Sequence, residues 1–173
     1  MDSIVLSNGK IITFRMSKWI DYAILNNLLF SCFGNMQKYG VLDDLEDRYL
    51  LAFDGDKVIA MTGLKRHTDF NGCEIELTCV HSEYRKNGIA VRMLAEIIRN
   101  VKTDIFILSY RLPDSSDVTL KYAMNLLGFK ALAKGYKRYE SICSDRCEEC
   151  RYRKDEYCYC GEDLYVRKQT YRV

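Results

Sequence analysis

The chain is short of several features that would assign it to a class at once. It has a single proline, Pro113, two histidines and one tryptophan among 173 residues. No apolar run approaches the roughly 20 residues of a membrane-spanning helix, so no membrane partner is expected. No charge of one sign prevails. Twenty-six Lys and Arg face 24 Asp and Glu for a net charge of +2, without the broad positive field of a protein whose main task is binding nucleic acid. Nucleic acid is therefore not expected as a partner. The opening "MDSIVLSNGK" lacks a signal-peptide layout, and the expectation is a cytosolic (cytoplasmic) protein with reduced thiols. Internal repeats and low-complexity tracts are absent. What is present is an apolar fraction of 48%, which excludes wholesale disorder and suits one globular domain with room for a small appendage.

Cysteine is plentiful, with eight in the chain. Cys32, Cys73 and Cys79 stand singly in apolar segments and read as buried, inert thiols. The other five crowd between Cys143 and Cys160. In a reducing compartment such a cluster points to a metal site rather than a disulfide framework. Zinc takes four ligands, commonly as close pairs on tight turns. Cys147/Cys150 and Cys158/Cys160 supply two pairs, with Cys143 as spare or substitute. The segment has few apolar side chains, so bound metal would supply its order. The Cys143-x3-Cys147-x2-Cys150 spacing also fits an iron–sulfur motif, though one that belongs to a different fold.

Along the rest of the chain, "KIITFRM" alternates like a strand. "SKWIDYAILNNLLFSCF" follows as a helix with Ser17 as its cap and Trp19, Ile20, Ala23, Ile24, Asn27 and Leu28 on one face. "RYLLAFD", "KVIAMTGLK" and "CEIELTCV" read as an antiparallel meander joined at Asp54-Gly55-Asp56 and Asn71-Gly72. A helix then carries Val91, Leu94, Ala95, Ile98 and Val101 in one stripe, and "DIFILSY" reads as a buried strand. Strand, helix and strand in that order imply a right-handed parallel crossover. "DVTLKYAMNLLGF" gives a further helix ended by Gly128, and "KALAKGYKRYESI" reads as a closing hairpin around Gly135. The expected fold is α+β, a mixed and mostly antiparallel sheet of six to seven strands flanked by helices. Residues 1–140 would form this domain, and 141–173 a metal-stapled tail.

The stretch "RKNGIAVRML" is an odd way to begin a helix. It has no Ser, Thr or Asp cap and no acid in its first turn. Bound anion explains such a start, because free N–H groups and the positive end of the helix dipole attract phosphate, and glycine lets backbone approach it closely.

The residues "CEIELTCVHSEYRKNGIAVRML", "DIFILSY" and "YAMNLLGF" resemble the GNAT superfamily of acetyl-coenzyme A-dependent N-acetyltransferases. The family's Gln/Arg-x-x-Gly-x-Gly/Ala signature reads Arg85-Lys86-Asn87-Gly88-Ile89-Ala90 between a strand and a helix. The resemblance covers about residues 10 to 140. It implies an acetyltransferase that moves acetyl from acetyl-coenzyme A to an amine-bearing substrate, and it leaves a homodimer open. It also implies that Arg85 through Ala90 hold the coenzyme pyrophosphate. The backbone of Thr78, Cys79 and Val80 would hold the pantetheine arm and polarise the thioester carbonyl. A glutamate six residues before the strand's Val, here Glu74, would deprotonate the amine; Glu76 lies on the same face and is the other candidate. One departure stands out. The family's general-acid Tyr, four residues before the Gly of Gly-Phe, is replaced by Met124, whose thioether has no proton to donate. The competing reading is a catalytically degenerate GNAT-like module that docks a partner through its tail.

Overall fold

In the computed structural model, residues 3–33, 45–67, 71–111, 120–136, 153–154, 157–158 and 161–169 are described. Among these residues ten strands run β1 (Ser3–Val5), β2 (Ile11–Met16), β3 (Tyr49–Asp54), β4 (Lys57–His67), β5 (Gly72–Val80), β6 (Asp104–Arg111), β7 (Lys130–Tyr136), β8 (Arg153–Lys154), β9 (Tyr157–Cys158) and β10 (Gly161–Arg167). The helices are α1 (Tyr22–Phe33), α2 (Ile89–Asn100) and α3 (Lys121–Leu126). Eight strands form one sheet in the order β1-β2-β3-β4-β5-β6-β10-β7, and β8 pairs with β9 alone. Only β5 and β6 are parallel in that sheet, joined by α2, while its other pairs are antiparallel. None of the described helices is long and apolar enough to cross a membrane.

The strand alternation divides the core in two. On β3, Leu50 and Ala52 join the cluster built on Met93 and Leu94 of α2 and Met124 of α3. Tyr49, Leu51 and Phe53 join the opposite cluster, which holds Leu25, Leu28 and Leu29 of α1. Full burial of each of those leucines is worth about 1.5–3 kcal/mol relative to exposure. That decides which face of α1 turns inward.

It is not the expected face. Ile20 is 84% exposed and Trp19 57%, and Ile24 is exposed as well; of the expected stripe only Leu28 is buried. Ser17 does not cap the helix either. Its hydroxyl donates to the Leu45 carbonyl and accepts the Tyr49 N–H at 3.0 Å. Asp21 instead closes the single 3-10 turn (Trp19–Asp21) that leads into the helix: it accepts the Lys18 N–H at 2.8 Å and is held by a two-pronged ion pair from Arg15, both contacts 2.6 Å. The hydrogen bonds from Arg15 hold the Asp21 carboxyl below its ordinary value.

The end of the chain also departs from expectation. β7 runs straight through Gly135, so no hairpin turns there, and its partner is β10. β10 lies between β6 and β7, pairing with both, and brings Tyr165 and Val166 into the core. The sheet therefore has eight strands rather than six or seven, and its hydrophobic core is not complete before residue 141. The reason is pairing: without β10, the edges of β6 and β7 that face each other would have no partner. Among the described residues no group of three or more His, Cys, Asp or Glu side chains is arranged to hold a metal. Cys143, Cys147, Cys150 and Cys160 lie outside the described residues, and Cys158 is described only as backbone of β9.

Candidate active site

The site begins where two strands separate. β5 and β6 pair from Gly72 with Asp104 to Ile75 with Ile107, and the ladder stops there. Both strands run on, β5 to Val80 and β6 to Arg111. A bulge causes part of this divergence. Between Gly63–Glu76 and Met61–Cys79, β5 carries one more residue than β4, and Leu77 takes a left-handed φ of 48°. Such an extra residue bends a strand and increases its twist. The β6-facing edge of Glu76–Val80, including the expected Thr78, Cys79 and Val80, thus leaves the ladder and lines a wedge-shaped opening.

This opening leads to the start of α2. Gly88 is the helix N-cap at φ 75°, no side chain caps the helix, and its first turn has no acid. The first N–H groups of any α-helix lack intrahelical partners, and they carry about half a positive charge together. A Cβ built on Gly88 would meet nothing within 4 Å, so no side chain packs against the cap position. The loop before it is fixed from several sides. Asn87 Nδ2 donates to the carbonyls of Tyr84 (3.2 Å) and Arg85 (3.1 Å), and Arg85 Nε donates to the Val80 carbonyl at 2.9 Å. Tyr84 is buried, and its hydroxyl donates to Asp54 at 2.6 Å, tying the loop to the β3–β4 turn. Lys86 is held at φ 64°. Arg85 through Ala90 thus form an ordered loop and helix start that carries two cationic side chains and no acid.

Glu74 and Glu76 share the sheet face that α1 covers, opposite Cys73 and Ile75. Each has a partner that the sequence reading missed. Glu74 Oε2 lies 3.0 Å from His67 Nε2, and Glu76 Oε1 takes both Nε (2.9 Å) and Nη2 (2.5 Å) of Arg48. Glu74 lies inside the β5–β6 ladder, whereas Glu76 lies just beyond its last pair. Glu46 and Asp47 lie just before β3 and tie it to the segment that precedes α1. Glu46 accepts the Trp19 N–H at 3.1 Å, and the Asp47 N–H donates to the Ser17 carbonyl at 3.1 Å. Met124 is fully buried in the core, and Tyr122 is 76% exposed on the other side of α3, so neither offers a proton donor inside. A groove of about 560 Å³ at the far end of α2 from Gly88 is lined by residues that include Lys65, Glu96, Asn100 and Arg48, the partner of Glu76.

The pattern of the Acetyltransferase (GNAT) family matches residues 19–114, more than half of the chain. The chain belongs to the GNAT family. No curated protein matches it by sequence. Solved structures share the fold at low identity. The ribosomal-protein-S18-alanine N-acetyltransferase of Escherichia coli superposes with a TM-score of 0.67 at 10% identity, over 94% of this chain and 96% of its own. An aminoglycoside 6'-N-acetyltransferase complexed with coenzyme A gives 0.65 at 14% identity, over 93% and 99%. Arabidopsis thaliana Naa50, bound to the bisubstrate analogue CoA-Ac-MVNAL, gives 0.63 at 14% identity, over 91% and 98%.

Within this GNAT domain the lone-cysteine reading needs correction. Cys73 and Cys79 are buried as expected, but Cys32 near the end of α1 is only half-buried. The hydrogen bond from Cys79, then those from Ser31 and Arg85, hold the Cys32 thiol well below its ordinary value of 9.0, down to about 6, against the opposing effect of burial. Cys79 is pushed the other way by the same bond and by burial. Nothing in the sequence pairs residues so far apart.

Proposed function

We propose that this protein transfers an acetyl group from acetyl-coenzyme A to an amine. The observation that carries the reading is the wedge between β5 and β6 opening onto the uncapped start of α2. The residues fit the coenzyme. The first-turn N–H groups after Gly88 would bind the pyrophosphate, and Lys86 adds positive charge beside it. The edge of Thr78, Cys79 and Val80 would hold the pantetheine arm by strand-like hydrogen bonds and aim an N–H at the thioester oxygen, where negative charge develops. Acetyl-coenzyme A, when bound, supplies the activated acyl carbon.

The acceptor must lose a proton to attack, since an ammonium has no lone pair. Glu74 is the proposed base, directly or through water, with His67 placed to pass the proton to solvent. Glu76, gripped by Arg48, is the positioning partner on the same face. With Met124 in the core, the coenzyme thiolate departs unprotonated or takes its proton from water. Acceptors in the related structures include a ribosomal protein's alanine and an aminoglycoside, which supports an amine here without choosing among amines. We also propose that Cys147, Cys150, Cys158 and Cys160 bind a structural zinc, on the strength of their spacing alone.

Incubation with acetyl-coenzyme A and a panel of small amines, peptides and proteins tests the activity, read as acetyl mass gain and free thiol released together. Coenzyme A binding with no acceptor turned over would favour the degenerate binding module instead.

A further inference from the structure

Three thiols of this domain have different surroundings. Cys73 is buried with Thr103 Oγ1 3.4 Å from its sulfur, and no cation is described beside it. Cys79 is buried on β5, its side chain in the core cluster against which Cys32 packs from α1. Cys32 is the accessible member of that pair. Its sulfur is the hydrogen-bond partner of Cys79, lies 3.8 Å from Ser31 Oγ and is within the field of Arg85. Arg85 is held there by its 2.9 Å bond to the Val80 carbonyl. A partly exposed sulfur beside a fixed guanidinium and a second thiol is the setting of reactive cysteines.

We propose that Cys32 is a hydroperoxide-sensitive modification site with Cys79 as its resolving thiol. The Cys32 thiolate attacks one peroxide oxygen and the O–O bond breaks. The hydroxide leaving group takes a proton from solvent, and Cys32 becomes a sulfenic acid. The Cys79 sulfur then attacks the Cys32 sulfur, the S–O bond breaks, and the hydroxide leaves as water with the Cys79 proton. Two thiols lose two electrons in forming one disulfide, and one hydrogen peroxide is reduced to two waters. The bond joins α1 to the strand edge that lines the wedge, and thiol reductants reverse it. The site itself does not depend on the acetyl-transfer reading.

The test uses the full chain, pre-reduced, treated with hydrogen peroxide, then alkylated and mapped as peptides without reduction. A Cys32–Cys79 cross-linked peptide is expected, with Cys73 still alkylated. Cys79→Ser should stop the reaction at a Cys32 sulfenic acid that dimedone captures, and Cys32→Ser should leave Cys79 reduced. Against the ordinary value of 9.0, thiolate content alone favours Cys32 by roughly 90-fold at pH 7, but lower nucleophilicity takes back about 15- to 30-fold. The expected rate advantage is therefore only a few-fold, while the alkylation rate of Cys32 should level off at a lower pH than that of an ordinary thiol. Oxidation of Cys73 as fast as Cys32, or a Cys32 disulfide to any cysteine of the 143–160 segment, overturns the assignment.

Discussion

Replacing Gly88 by alanine separates the fold's need for this residue from the ligand's. The backbone there has φ 75° and ψ 2°. A side chain in that left-handed region costs about 1–2 kcal/mol. No steric cost adds to it, because the new Cβ meets nothing within 4 Å. For a chain of this size each kcal/mol lowers Tm by about 2–4 °C, so a drop of about 2–8 °C is expected. Coenzyme A should lose more, since glycine at the cap is what lets a phosphate approach the α2 donors closely, and an added methyl crowds that approach. Imperfect pairing of those donors is worth roughly 1–3 kcal/mol, or about 5- to 150-fold in Kd. Gly9 supplies the control. It has φ 82° and equally open surroundings in the β1–β2 turn, away from the site. Gly9→Ala should lower Tm similarly and leave coenzyme A affinity alone. Thermal melts and calorimetric titration with coenzyme A read both quantities. If Gly88→Ala lowers Tm while Kd matches that of Gly9→Ala, the pyrophosphate assignment is wrong.

Glu74→Gln should lower kcat by about 10²–10⁴ with coenzyme A binding intact; if Glu76→Gln alone gives that loss, the roles of the two are exchanged. Ending the chain after residue 160 should unfold the whole domain, because β10 pairs with both β6 and β7; a folded, cooperatively melting truncation would contradict the strand order. Asp21→Asn should destabilise by roughly 1–3 kcal/mol at neutral pH, the cost of weakening a buried charged hydrogen bond. Because the folded Asp21 carboxyl sits below its ordinary value of 3.8, its contribution is present above that pH and lost as the pH falls through the folded value; denaturant melts should show wild type and Asp21→Asn converging in acid. Elemental analysis of the protein as isolated should find about one zinc per chain; iron with a visible absorption band would favour a cluster, and a metal-free protein would end the zinc proposal.

The sequence by itself determined what is local. The β3–β4 turn at Gly55, the β5–α2–β6 crossover and the Gly88 helix start each rest on spacing within a few dozen residues, and all were legible. Tertiary structure decided what depends on distant partners. The inward face of α1 was misread because apolar residues occur on both sides of it, and only contact with β3 and β4 selects Leu25, Leu28 and Leu29. β1 was passed over because three residues carry little periodicity without β2 beside them. β10 was hidden behind a cysteine-rich segment, and its residues become a core strand only when β6 and β7 offer it edges on both sides. The partners of Glu74 and Glu76, and the meeting of Cys32 with Cys79 and Arg85, likewise come from strand register and helix docking, since hydrogen bonds and charges act through space and not along the chain.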